Sequence, residues 1–112
     1  MIKVQDLKDA LSLKLLTENV DLNSEVSGCY IGDLLSWVMA NANSKDVWIT
    51  VMGNINAIAV ASLTNISCII LTESASLDTD AKEKAIEQNI PIFITDLNSY
   101  NIATKVAKLL ES

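Results

Sequence analysis

ITVMGNINAIAVASLTNISCIILTES, residues 49–74, decides the fold. Ile49-Thr50 closes a short apolar run that begins at Val47-Trp48. A loop containing Gly53 follows. Ile55 to Leu63 then reads as a helix that is apolar nearly all round, and Ile69-Ile70-Leu71 is a second short run ending in Thr72. Downstream the same rhythm returns. Asp78 stands where a residue caps a helix running through Gln88, with Lys82, Lys84 and Glu87 as its solvated face. Pro91 opens a third run, Ile92-Phe93-Ile94, which ends in Thr95, and Asn98 caps a last helix with Ile102, Val106, Leu109 and Leu110 inward.

Upstream, Val4, Leu7 and Leu11 recur at helical spacing, and Leu13, Leu15 and Thr17 alternate as in a strand. Asp21 to Ser24 is a polar turn, and Glu25 to Tyr30 reads as a strand with Gly28 inside it. Ile31, Leu34, Leu35, Val38 and Ala42 form one apolar helix face, widened by Trp37 and Met39. Short continuous apolar strands alternating with helices predict an α/β fold. Its mostly parallel sheet of about five short strands carries helices on both faces.

The chain has 112 residues, the length of one domain, so residues 1–112 are read as a single unit. No apolar run approaches the ~20 residues of a membrane span. The charged N-terminus shows no signal peptide. Net charge is −6, the isoelectric point is about 4.4 and mean hydropathy is +0.32. All eight basic residues are Lys. Both facts argue against nucleic acid and against anionic membrane surfaces as partners. Cys29 and Cys68 lie in apolar, strand-like segments. They read as small buried hydrophobes of a reducing, cytoplasmic compartment, with a disulfide as the alternative.

The chemistry of catalysis is missing. There is no His, no CxxC spacing, no phosphate-binding glycine motif, and no Lys in the loops after the three Thr-ended strands. No enzyme, metal or cofactor is expected. What remains is polar. Thr50, Thr72 and Thr95 end neighbouring strands, Glu73 and Asp96 follow two of them, and Asn54 and Asn56 flank the start of the apolar helix. Open α/β sheets bind ligands at this carboxyl edge. Hydroxyls, amides and acids there suit a ribose, a base edge or a hydrated Mg2+ better than a bare phosphate, for which the helix N-terminus offers only a weak site on a surface of net charge −6. The plainer reading is that Thr favours strand ends and the acids serve turns. Trp37, beside Met39, is either a large residue at the rim of the core or an interface anchor.

Residues 49–74 resemble the core of the DRTGG domain family. Ile49-Thr50, Gly53, Leu63 and Leu71-Thr72 stand where that pattern expects them. Asn89-Ile90-Pro91 through Thr95-Asp96 to Tyr100 resembles the family's Ile-Pro strand and Thr-Asp loop. Val26 to Tyr30 and Gly32 to Leu35 resemble its Gly-turn and second helix. The namesake residues differ: Asn54-Ile55 stands for the Asp-Arg pair, and Thr72-Glu73-Ser74 for Thr-Gly-Gly. The resemblance implies a fold related to the N-terminal domain of HPr kinase/phosphorylase and a homodimer. It also implies a regulatory role of bacterial type, as in chains that join such domains to CBS domains or phosphotransacetylases. The expected ligand site is Thr50, Gly53, Asn54, Asn56, Thr72, Glu73, Ser74, Thr95 and Asp96, for a small molecule of nucleotide type. The alternative is a protein-interaction module without a ligand.

Overall fold

A computed structural model describes all residues, 1–112. Five strands and five helices follow in the order α1 (Val4–Leu11), β1 (Lys14–Leu15), β2 (Gly28–Ile31), α2 (Leu35–Asn41), β3 (Asp46–Thr50), α3 (Ile55–Thr64), β4 (Cys68–Leu71), α4 (Thr79–Glu87), β5 (Ile92–Ile94) and α5 (Ser99–Glu111), alternating from β2 onward. The sheet order is β1-β5-β4-β3-β2. Strands β2 to β5 are parallel, and β1 is an antiparallel edge with Leu15 opposite Phe93.

The two central strands explain the apolar runs. Every residue of β3 and β4 is buried. Register aligns Ile49, Ile70 and Phe93 on one face and Trp48, Ile69 and Ile92 on the other. Side chains alternate between faces, so each run feeds two cores at once. Val47, Ile49, Cys68, Ile70 and Phe93 meet Val4 and Leu7 of α1 and Ile102 and Val106 of α5. Trp48, Ile69, Leu71 and Ile92 meet Val38 of α2, Ala57 and Ala61 of α3, and Ala81 and Ala85 of α4. Each fully buried aliphatic side chain contributes about 1.5–3 kcal/mol relative to exposure. No helix is long and apolar enough to cross a membrane.

Local signals set the boundaries. The Asn98 side chain accepts a hydrogen bond from Asn101 N at 2.9 Å and starts α5. Asn65, at φ 56°, ends α3 in the left-handed conformation that Asn tolerates. Thr17 lies beyond β1 but continues its edge. Its hydroxyl donates to Ile90 O at 3.3 Å and accepts from Ile92 N at 3.1 Å.

Several expectations change. Helix α2 is shorter than its apolar spacing suggested, because Gly32 and Asp33 are held in the turn before it. Gly32 O accepts from the Trp48 indole at 2.9 Å. Ile31 therefore ends β2 and Leu34 precedes the helix, and they are 50% and 62% exposed. Asp78 stands at the start of α4, but its side chain makes no capping bond. Leu109 and Leu110 are only half-buried. Cys68 is buried, whereas Cys29, on the edge strand β2, is exposed; both are unpaired.

The Cys29 thiol is nevertheless pushed up to about 11, first by desolvation and then by the Asp46 carboxylate. Full burial, and second the nearby Cys29, raises Cys68 further still. Above pH 9 the unfolded thiols ionise while the folded ones stay protonated, so the unfolded state releases protons and gains. Stability should hold below pH 9 and fall as pH rises towards 11. Urea midpoints measured across that range check this, and Cys29→Ser should reduce the slope.

Candidate functional site

The parallel strands end together at Ile31, Thr50, Leu71 and Ile94, and the turns that leave them form the carboxyl edge of the sheet. The nine expected ligand residues divide into two groups there. The first group is occupied by the fold itself. Thr50 is 1% exposed. Its hydroxyl donates to Asp33 Oδ1 at 2.8 Å and accepts from Met52 N at 3.1 Å. Asp33 Oδ1 also accepts from Val51 N at 3.0 Å. Asp33 thus ties the turn after β2 to the end of β3. Its signal in the sequence was slight: an acid after Gly32 and before an apolar run.

Gly53 and Asn54 are likewise structural. Gly53 O accepts from Asp78 N at 2.8 Å. A Cβ on Gly53 would collide with the Ser76 carbonyl oxygen, so only glycine lets the two loops approach. Asn54 Oδ1 accepts from Ala57 N at 2.9 Å and caps α3. That bond takes up one of the N–H groups that a phosphate at this helix end would need. Thr95 accepts from Leu97 N at 3.2 Å in its own turn.

The second group is open. Asn56, Glu73, Ser74 and Asp96 are exposed. The turns after β4 and β5 are stitched together, with Glu73 N donating to Leu97 O and Ser74 N to Thr95 O, both at 2.9 Å. The side chains of Glu73, Ser74 and Asp96 are therefore carried by one joined pair of turns. Thr72 lies just beneath them, 0% exposed, with a hydroxyl that has no hydrogen-bond partner. Such orphans are rare, because a buried unpaired polar group costs about 1–3 kcal/mol.

Glu73 and Ser74 also carry strain. Their φ values are 55° and 54°, consecutive left-handed residues that are not glycine. Each such residue costs on the order of 1–2 kcal/mol. These are the positions at which the family pattern has its Gly pair.

No surface hollow is lined by any of the nine residues. A groove of about 240 Å3 lies instead between α3 and α4, floored by Ile58. A second, of about 180 Å3, lies at the opposite edge beside Glu25, Lys45 and Asn65. No three His, Cys, Asp or Glu side chains gather as a metal site would require. Trp37 and Met39, on α2, are 63% and 41% exposed.

Restoring glycine should relieve the turn. Glu73→Gly is expected to raise unfolding stability by about 0.5–1 kcal/mol, the strain removed less the backbone entropy that glycine adds. Denaturant unfolding measures this; an unchanged or lower midpoint would mean that the left-handed residue is not strained.

A family model described as "DRTGG domain" matches residues 6–109. A solved structure of the CBS and DRTGG domains of the regulatory region of Clostridium perfringens pyrophosphatase, complexed with the activator diadenosine tetraphosphate, shares the fold. Its TM-score is 0.66 at 16% identity, covering 90% of this chain and 44% of that one. The chain thus spans less than half the length of that regulatory region. No curated protein matches it. With nearly its whole length matched by the family model, this chain belongs to the DRTGG domain family.

Proposed function

We propose that the chain, as one domain of residues 1–112, is a non-catalytic regulatory module. It acts as a homodimer and takes a small ligand of nucleotide class at the carboxyl edge of its sheet. The observation that carries this reading is the Thr72–Glu73–Ser74 turn, which combines two left-handed non-glycine residues with a buried, partnerless hydroxyl. Folds keep such costs where a site is over-determined for function. The open side chains of Asn56, Glu73, Ser74 and Asp96 offer an amide, a hydroxyl and two acids to a ribose, a base edge or a hydrated cation. The solved relative, complexed with diadenosine tetraphosphate, supports the ligand class.

Absence of catalysis rests on the parts list. The chain has no His and no Arg, and the one hydroxyl paired with a carboxylate at the edge, Thr50 with Asp33, is buried within the fold. A buried, unpaired Cys68 suits a reducing, cytoplasmic compartment, and the family resemblance suggests a bacterial type. A second reading, an interaction module with no ligand, is favoured by the polar atoms of Thr50, Asn54 and Thr95, which are already bonded within the chain.

A thermal-shift screen against adenine and guanine nucleotides, with and without Mg2+, separates the two. Ligand at 100 times Kd adds about 2.7 kcal/mol, or several degrees for a domain of this size. A saturable shift that Glu73→Ala or Asp96→Ala weakens is the expected result. A flat response to every nucleotide would leave the interaction module.

A further inference from the structure

The chain carries 8 Lys and 14 acidic residues, but only Asp33, Lys45 and Asp46 lie between Glu25 and Glu73. Asp46 is buried and Asp33 is bound to Thr50. Helices α2 and α3 contain no charged residue at all. Yet this neutral stretch is not apolar only inside. It holds Ile31, Leu34, Trp37, Met39, Val51, Ile55 and Leu63, most of the large apolar side chains that face solvent. On α3 they form a stripe. Ile55, Ala59 and Leu63 recur four residues apart on the outer surface, with Ile55 40% and Leu63 73% exposed. Along the stripe runs the groove of about 240 Å3, which Ser62, Lys84 and Gln88 also line. The inner surface of the same helix is fully used by Ala57, Ile58, Val60 and Ala61. The stripe therefore owes nothing to the core.

We propose that this stripe is where a second copy of the chain docks. Helix α3 packs antiparallel on α3 across a two-fold axis. Ala59 lies at the crossing, and Leu63 of each copy lies over the groove of the other, near Ile55. The inference rests on the homodimer reading above and names its surface. Charge selects the occupant. A two-fold contact sets each patch against itself. In a protein of net charge −6, most self-contacts would set acid against acid; here the one ionised residue lining the groove is Lys84, which is already paired with Glu87 of its own helix at 3.4 Å. The small Ala59 side chain permits the 8–10 Å axial separation of packed helices. Neighbouring α2 adds Trp37 and Met39 to the neutral surface, the aromatic and thioether types favoured at interfaces.

The test uses the full chain with Cys29→Ser, leaving buried Cys68 in place. Ala59→Cys should form a disulfide-linked dimer under mild oxidation, visible on a non-reducing gel. Ala107→Cys, on the exposed surface of α5, should not. Leu63→Glu should weaken self-association in sedimentation equilibrium by about 100-fold, the effect of losing a central apolar anchor to a charge, with circular dichroism unchanged. A dimer that ignores both Ala59→Cys and Leu63→Glu overturns this surface and leaves the homodimer standing. A wild-type chain that stays monomeric at about 0.1 mM, well above the micromolar affinities of ordinary interfaces, overturns both. A stripe that captures a different protein while the chain remains monomeric also overturns it.

Discussion

The parallel ladder between β3 and β4 governs the rest of the molecule. Both strands are buried on both faces, so a charge is admitted only at the first residue of β3, where the Asp46 carboxylate accepts from Asn43 N at 2.8 Å. Their cover on one side, α3, needs an apolar inner face of its own. The linkage between them is short, and the run from Val47 to Thr72 emerges without a single ionised residue. The charges gather instead on α1, α4 and α5 and in the loops. The neutral centre is thus a packing requirement first. Only its outer surface, where Ile55, Ala59 and Leu63 serve no core, goes beyond that requirement.

The same ladder shapes the carboxyl edge. Thr50 and Thr72 end buried strands and are buried with them. A buried hydroxyl needs a partner, and the two fare differently. Thr50 finds Asp33 across the turn from β2, which fastens the loops after β2 and β3 together with three hydrogen bonds. Thr72 finds none, and the chain turns left-handed directly after it. Where the family pattern relieves this turn with glycines, the chain keeps Glu and Ser. That exchange adds an acid and a hydroxyl to the edge at a cost in backbone strain. It is one of two departures from the pattern that the chain resembles, the other being Asn54-Ile55 in place of the Asp-Arg pair.

Most of the fold was legible because its signals are local. Strand-length apolar runs ending in Thr, an Asn at the start of α5 and an apolar helix between two strands all declare themselves within a few residues. The misread residues depend on distant partners. Ile31 and Leu34 fit a helical spacing, but the turn holding them out of α2 is fixed by Trp48 and Thr50, which lie well downstream. Cys29 looked buried because its neighbours are apolar, and only the sheet order reveals β2 as an edge. Thr50, Asn54 and Thr95 were the right residue types for a ligand. Pairing decides whether such groups are free, and pairing is invisible in a sequence. Trp37 and Met39 stand exposed because α2 is too short to bury more than Val38 fully.

The most direct measurement is sedimentation equilibrium of the wild-type chain from about 0.02 to about 0.5 M salt, a range over which screening of exposed charges becomes nearly complete. Two acidic copies meeting through a neutral face repel at long range and gain nothing from ion pairs. The expected result is a dimer that persists, or tightens slightly, as salt rises. A dimer that falls apart with added salt would mean that charged groups hold it, and would contradict the neutral face as the surface of association.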